Sequence, residues 1–221
     1  LFNSRGTRNC HLKKWARQWT LEAMNDTHAD GLEVSWKEEG KDTIFSHPLF
    51  TLQRSRQTSS QGGRGDFVLL DCPDWVNVVA LDQDDEGRPC LLMVRQYRFG
   101  LGAQCLEFPG GVVDRGEDHG EAARRELLEE TGCEADAWMH LGSACPNAAF
   151  MCNRMHGWLA RGLRKVGGLD LDENEHLTVH RVPVADLAAG RYPEFLANGV
   201  MVLPWWWFLS RFPEYAAPGR Q

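Results

Sequence analysis

From residue 67 to residue 108 the chain alternates short apolar runs with polar turns, and that rhythm predicts β-strands. The runs are FVLL at 67–70, WVNVVAL at 75–81, CLLMVRQ at 90–96 and CLEF at 105–108. Turn chemistry at 71–74 and an acidic loop at 82–89 bound the second and third runs, which therefore read as a hairpin. At Asp118 the period changes. Asp118 and Glu121 fit a capping box, Ala122, Ala123 and Leu127 with Leu128 supply an apolar stripe, and Gly132 is a C-terminal stop. A helix is predicted between them. Strands follow at 138–141, 155–160 and 177–182, the last closed by Pro183, with helices at 184–189 and 196–212. Upstream, 33–36 and 49–53 are candidate short strands. The polar stretch SRQTSSQGGRGD at 55–66 reads as a loop or flexible connector. Strands, one central helix, more strands and a terminal helix predict an α/β fold, a mixed sheet with helices on its faces.

A length of 221 residues suits one domain with a full core, or one domain plus an extension. The division expected is an N-terminal extension at 1–60 holding dimerisation or substrate-contact strands, a main domain at 66–212 and a tail at 213–221. Residues 1–21 contain Arg5, Arg8, Lys13, Lys14 and Arg17 and no acid. They read as a solvated amphipathic helix, with the remains of an organellar transit peptide as the alternative. The apolar run at 200–209 contains Pro204 and falls far short of the ~20 residues of a membrane span. It reads as a core helix, and no membrane partner is expected. A net charge of −7 argues against non-specific binding of nucleic acid. An acidic chain that handles phosphates needs local positive charge, from a metal ion or from a few placed arginines. The seven cysteines include no C-x-x-C pair, so they read as reduced, buried thiols of a cytoplasmic protein.

The chemistry concentrates in the predicted helix. Glu126, Glu129 and Glu130 stand at i, i+3 and i+4, so their carboxylates share one face and repel one another. A cation reverses that sign. Hard oxygen donors without Cys or His favour Mg²⁺, with Mn²⁺ as the alternative. Magnesium keeps positions free for water or phosphate oxygens, which suits a diphosphate substrate. Arg125 has a rigid fork fitted to a carboxylate, and Glu117, eight residues earlier, is a candidate partner. Gly110 and Gly111 let the backbone pass close to the helix face. A solvated acidic helix would also explain Glu129-Glu130 taken alone.

Residues 111–133 as a whole resemble the Nudix box, G-x5-E-x7-R-E-U-x-E-E-x-G-U, in which U is bulky and apolar. The glycines and charged residues match at Gly111, Glu117, Arg125, Glu126, Glu129, Glu130 and Gly132, and Cys133 stands at the last U. The resemblance extends over roughly 66–210 and implies the Nudix α/β/α sandwich with its loop-helix-loop. Val94-Arg95-Gln96-Tyr97-Arg98, Leu106-Glu107-Phe108-Pro109-Gly110-Gly111 and the acidic loop Asp172-Glu173-Asn174-Glu175 look most like the ADP-ribose pyrophosphatase branch. That branch often has Ser-Pro-Gly where this chain has Cys145-Pro146-Asn147.

The resemblance implies roles. Glu126, Glu129, Glu130 and the Gly110 carbonyl would hold metal. Glu173 or Glu175 would be the general base or a further ligand, with Glu129 assisting catalysis. Arg98, Arg95 and Gly111 would meet the substrate, with Glu117 and Arg125 behind the ligands. The implied partner is a nucleotide-derived small molecule, with a homodimer allowed. Trp36, Phe45, Phe50, Tyr97 and Phe99 could stack a base, although core packing is the first expectation for them. The implied reaction is Mg²⁺-dependent cleavage of the diphosphate in ADP-ribose or a nucleotide sugar. The alternatives are another nucleotide (a triphosphate, a dinucleoside polyphosphate, coenzyme A) or a non-catalytic nucleotide-binding module.

Overall fold

A computed structural model describes residues 34–216, Asn174 excepted. The reading of 1–21 as a helix or transit segment lies outside the described residues. Nine strands and four α-helices follow in order: β1 (Trp36–His47), β2 (Phe50–Ser59), β3 (Arg64–Asp71), β4 (Trp75–Gln83), β5 (Pro89–Arg98), β6 (Ala103–Glu107), α1 (His119–Thr131), β7 (Cys133–Ala144), β8 (Met155–Lys165), β9 (Leu177–Pro183), α2 (Val184–Ala188), α3 (Pro193–Leu196) and α4 (Gly199–Arg211). A 3₁₀ turn, Pro213–Tyr215, ends the described chain.

Alternation along β4 and β5 sets the layers. Val76, Val78, Ala80 and Leu92 face α1, where they pack on Ala122, Ala123 and Leu127. Val79, Leu91 and Met93 face the other way, onto Phe195 of α3 and Met201, Trp205 and Phe208 of α4. Strand side chains change face at every residue, so one apolar strand feeds two cores and both faces need a helix. The result is the expected α/β/α sandwich. The run at 200–209 is the core helix predicted for it, and no helix among the described residues is long and apolar enough to cross a membrane. Leu128, assigned to the apolar stripe of α1, is 38% exposed. It lies beyond the edge of the buried face.

The second sheet runs β6-β5-β4-β8-β7, with β9 on the other edge of β5. The β4–β5 hairpin is present, but its ladder covers only Ala80–Gln83 against Leu92–Pro89. Before Ala80 the strands part, and β4 runs parallel to β8, Trp75 opposite Met155 and Val79 opposite Leu159. Into the gap comes the segment after β6: the Val78 and Val76 N–H groups donate to the carbonyls of Pro109 and Gly111 at 2.8 and 2.9 Å.

Residues 55–66 need correction. They are not a connector: most of them lie in β2 and β3, which pair from Thr51–Asp71 to Thr58–Arg64, and only 60–63 turn. With β1 these strands form a separate three-stranded sheet. Its Ser, Thr, Gln and Arg side chains sit on a largely wet sheet, so no hydrophobic alternation marks it. The boundary between the two sheets consequently falls between Asp71 and Trp75, later than the expected 60–66. Leu70 ties this sheet to the main domain, donating its N–H to Phe150 and accepting from Cys152.

The thiols also differ from expectation. Cys90, Cys105 and Cys133 are buried, Cys72 and Cys145 are half-buried, and Cys152 is exposed; all six are unpaired.

Candidate active site

Helix α1 begins where the Asp118 carboxylate accepts the N–H groups of Gly120 and Glu121, at 2.8 and 3.3 Å. It ends at Gly132, whose φ of 63° is the left-handed conformation that glycine takes most readily. Between these stops Leu127 anchors the apolar face, and Glu126, Glu129 and Glu130 fall on the flank toward the 109–113 segment. This is not a solvated acidic face. Glu130 is 1% exposed, and its carboxylate accepts the Gly110 N–H at 2.8 Å. A Cβ on Gly111 would collide with the Glu126 carboxylate, and one on Gly110 with the Val76 carbonyl. Gly110 is therefore required by close approach to backbone, whereas a side chain at Gly111 would push the Glu126 carboxylate out of place. Successive carbonyls alternate along extended backbone, so the Gly110 C=O lies opposite the Pro109 and Gly111 carbonyls that bind β4.

Arg125 organises the cluster. Its guanidinium donates to Glu117 at 3.0 and 3.1 Å, to Glu126 at 2.8 Å, to Glu129 at 3.0 Å and to the Val112 carbonyl at 3.0 Å. Hydrogen bonds from Arg125 hold the Glu117 carboxyl below its ordinary pKa. Glu126 moves the other way, pushed up to about 7 by burial, and the charges of Glu129 and Glu175 add to that shift against the pull of Arg125. Burial pushes Glu130 up to about 9, and Glu126 and Glu175 raise it further. Two carboxyls so unfavourable as anions are what a divalent cation would relieve. The donors are oxygens alone, and Glu126, Glu130, Glu129, Glu175 and the Gly110 carbonyl fit Mg²⁺.

Glu126, Glu129, Glu175 and Gly110 border a cavity of about 750 Å³, lined also by Gly111, Gln96, Arg98, Asn77, Asp172 and Asn198, and Glu130 lies buried behind them. Arg98 reaches it from the end of β5 while its fork holds Glu107 at 2.9 and 2.5 Å. Glu107 is fully buried and also accepts from Gln96 and Asn198. Glu175 lines the cavity and acts on both Glu126 and Glu130, whereas Glu173 is exposed and outside the lining. Arg95 is not brought to the site: its side chain, on the opposite face of β5 from Gln96, pairs with Glu194 of α3 at 2.9 Å. Of the aromatic candidates, Trp36, Phe45, Tyr97 and Phe99 are 46%, 51%, 45% and 90% exposed, so core packing is ruled out for these four.

Residues 73–201 match the family model described as the NUDIX domain. The chain belongs to the Nudix family. An ADP-ribose pyrophosphatase of Mycobacterium tuberculosis is 31% identical over 162 residues, 73% of this chain and 72% of that protein. A methanol dehydrogenase activator of Bacillus methanolicus is 33% identical over 133 residues, 59% of this chain and 70% of that one. A solved structure titled an ADP compounds hydrolase superposes with a TM-score of 0.68 at 27% identity, covering 83% of this chain and 96% of its own. The expected Nudix fold, pyrophosphohydrolase class and ADP-ribose pyrophosphatase branch are borne out by these matches.

Glu107 and Gln96 stand in the motifs of this Nudix site without an expected role, and Asn77 and Asn198 fall outside those motifs. Glu107 did carry a signal, as a carboxylate inside the apolar run CLEF. An acid there must be paired, and Arg98 is the basic residue on the same face of the neighbouring strand, whereas Arg95 faces the other way. Asn77 and Asn198 left no signal, because only the parting of β4 from β5 and the docking of α4 bring them to the cavity.

Proposed function

We propose that this Nudix enzyme hydrolyses the diphosphate bond of a nucleoside diphosphate derivative, ADP-ribose or a nucleotide sugar, with Mg²⁺. The products are a nucleoside monophosphate and a sugar phosphate. One observation carries the reading: the desolvated Glu126 carboxylate lines one cavity with Glu129, Glu175 and Arg98, and the buried Glu130 carboxyl behind it feels the charges of Glu126, Glu175 and Arg98. Acids alone would repel a diphosphate; acids that hold cations beside a placed arginine attract one. When bound, Mg²⁺ shields the phosphate charge, polarises phosphorus and acidifies water.

The chain's own groups do the rest. Glu126, Glu129, Glu130 and the Gly110 carbonyl hold the cation, and Arg125 with Glu117 keeps those carboxylates in place. Arg98, fixed by Glu107, donates to a phosphate oxygen. Glu175 takes the proton of the attacking water as the new P–O bond forms and the bridging P–O bond breaks. Glu175 is favoured over Glu173 because it alone of the two borders the cavity.

The test is hydrolysis of ADP-ribose, nucleotide sugars, a nucleoside triphosphate, a dinucleoside polyphosphate and coenzyme A in Mg²⁺, with products identified. AMP and ribose 5-phosphate from ADP-ribose are expected, with no turnover in EDTA. Tight nucleotide binding without turnover would make the chain a binding module, and turnover confined to another nucleotide would move the substrate.

A further inference from the structure

Away from the carboxylate cluster, three histidines converge. His119 opens α1, His140 lies on β7 and His156 on β8. One potential ligand atom from each lies within 4.8 Å of the others. Nothing in the hydrolytic reaction uses them. We propose that His119, His140 and His156 form a second cation site, selective for a borderline transition metal such as Zn²⁺ over Mg²⁺.

The surroundings are those of neutral imidazoles with usable lone pairs. The Trp158 indole N–H can only donate, and it donates to His119 Nδ1 at 3.1 Å, so that nitrogen presents a lone pair. The Ser143 hydroxyl stands between His140 Nε2, at 3.0 Å, and His156 Nδ1, at 2.7 Å. On the far side of its ring, His156 Nε2 lies 3.2 Å from the Asp74 carboxylate. A carboxylate on one ring nitrogen orients the ring and leaves the lone pair on the other, here facing the Ser143 hydroxyl, the arrangement that commonly backs a metal-bound histidine. His140 keeps an exposed edge, but the groups packed around its ring desolvate it and, with the neighbouring imidazoles, push it down to about 4, which leaves it uncharged at neutral pH. His119 and His156 stack with centroids 4.1 Å apart, a contact that two imidazolium ions would oppose.

Donor chemistry separates the two sites. Imidazole nitrogen suits zinc, cobalt, nickel and copper, whereas the all-oxygen cluster suits magnesium. Closing on a cation requires the rings to rotate from stacked to convergent. His140 sits at the exposed end of the cluster and would exchange its Ser143 contact for the cation, which would also take over the lone pair that Trp158 now meets. The site would also brace the catalytic loop, because the Asp74 carbonyl accepts the Val113 N–H at 2.8 Å.

The test is equilibrium dialysis of the metal-free full chain against micromolar Zn²⁺ with millimolar Mg²⁺ present, and the visible spectrum of the Co²⁺ form. One zinc per chain is expected. His140→Ala, a change at an exposed side chain, should weaken zinc binding by at least about tenfold and alter the cobalt bands. Glu126→Gln should leave both unchanged. His140→Gln provides the same reading if the alanine variant folds poorly. The proposal is overturned if zinc is not retained, if the His140 variants bind it as the wild type does, or if Glu126→Gln abolishes binding.

Discussion

Glu130 is a buried carboxylate whose one protein hydrogen bond comes from a backbone amide, and its neighbours Glu126 and Glu175 make its charge costlier still. On the proposed function, a cation would complete it. Glu130→Gln keeps the shape and the Gly110 contact but withdraws the negative charge, so kcat for the diphosphate substrate should fall at least about a hundredfold with the fold intact. Circular dichroism and steady-state kinetics on the same sample check this. Arg125→Lys keeps a positive charge but cannot span Glu117, Glu126 and Glu129 at once. A loss of about 10- to 100-fold in kcat/KM is expected, with apparent Mg²⁺ affinity weakened in parallel. At this scale the sequence was most informative. The spacing of Glu126, Glu129 and Glu130 placed them on one helix flank, and the Arg125–Glu117 contact expected from the fork chemistry is present. Arg95 was legible only as a neighbour of Arg98; the alternation along β5 that turns it toward α3 needs the strand's facing to be known.

Helix α1 works as a frame that holds its acids against the 109–113 segment. Gly111→Ala would drive a methyl group into the Glu126 carboxylate, so activity should drop while the helix itself, capped by Asp118 and Gly132, survives. The same frame predicts a pH effect on stability. In the metal-free folded chain Glu126 and Glu130 titrate near 7 and 9, against 4.5 in the unfolded chain. The folded state therefore holds protons that the unfolded state has released, and stability falls as pH rises from about 4.5 toward 9. In EDTA, the melting temperature should decline over that window; Mg²⁺ should remove much of the decline, and Glu130→Gln should flatten it. Parallel melting curves with and without Mg²⁺ would contradict the assignment of these acids to the metal. The caps of α1 were readable because they are local chemistry. Strand β7 was expected only at 138–141 but runs from Cys133 to Ala144: it is the sheet edge, largely exposed, and carries no clean alternation.

Across the whole molecule, the three-stranded sheet is the part least visible in the sequence. Its first and third strands expose Trp36, Ile44, Phe45, Phe67 and Val68, with Leu49 in the turn after β1, and Trp36 packs edge-on against Phe67. We expect two copies to associate through this sheet. Light scattering should report twice the chain mass, and Ile44→Asp with Phe45→Asp should return a monomer that keeps the main-domain fold. A wild-type monomer at micromolar concentration would refute that. The parallel β4–β8 pairing joins residues some 80 positions apart and was hidden for a related reason. Apolar runs announce burial without naming the neighbour, whereas the loop-helix-loop could be read because all its parts are close in sequence.

The central claim is that one flank of α1 seats divalent cations against the substrate's diphosphate. Anomalous diffraction from crystals soaked in Mn²⁺ with a non-hydrolysable methylene analogue of ADP-ribose tests it directly. The account predicts manganese peaks bonded to the carboxylates of Glu126 and Glu130, with the analogue's phosphonate oxygens on the same ions and Arg98 beside them. Manganese absent from those carboxylates while the analogue occupies the cavity would contradict it.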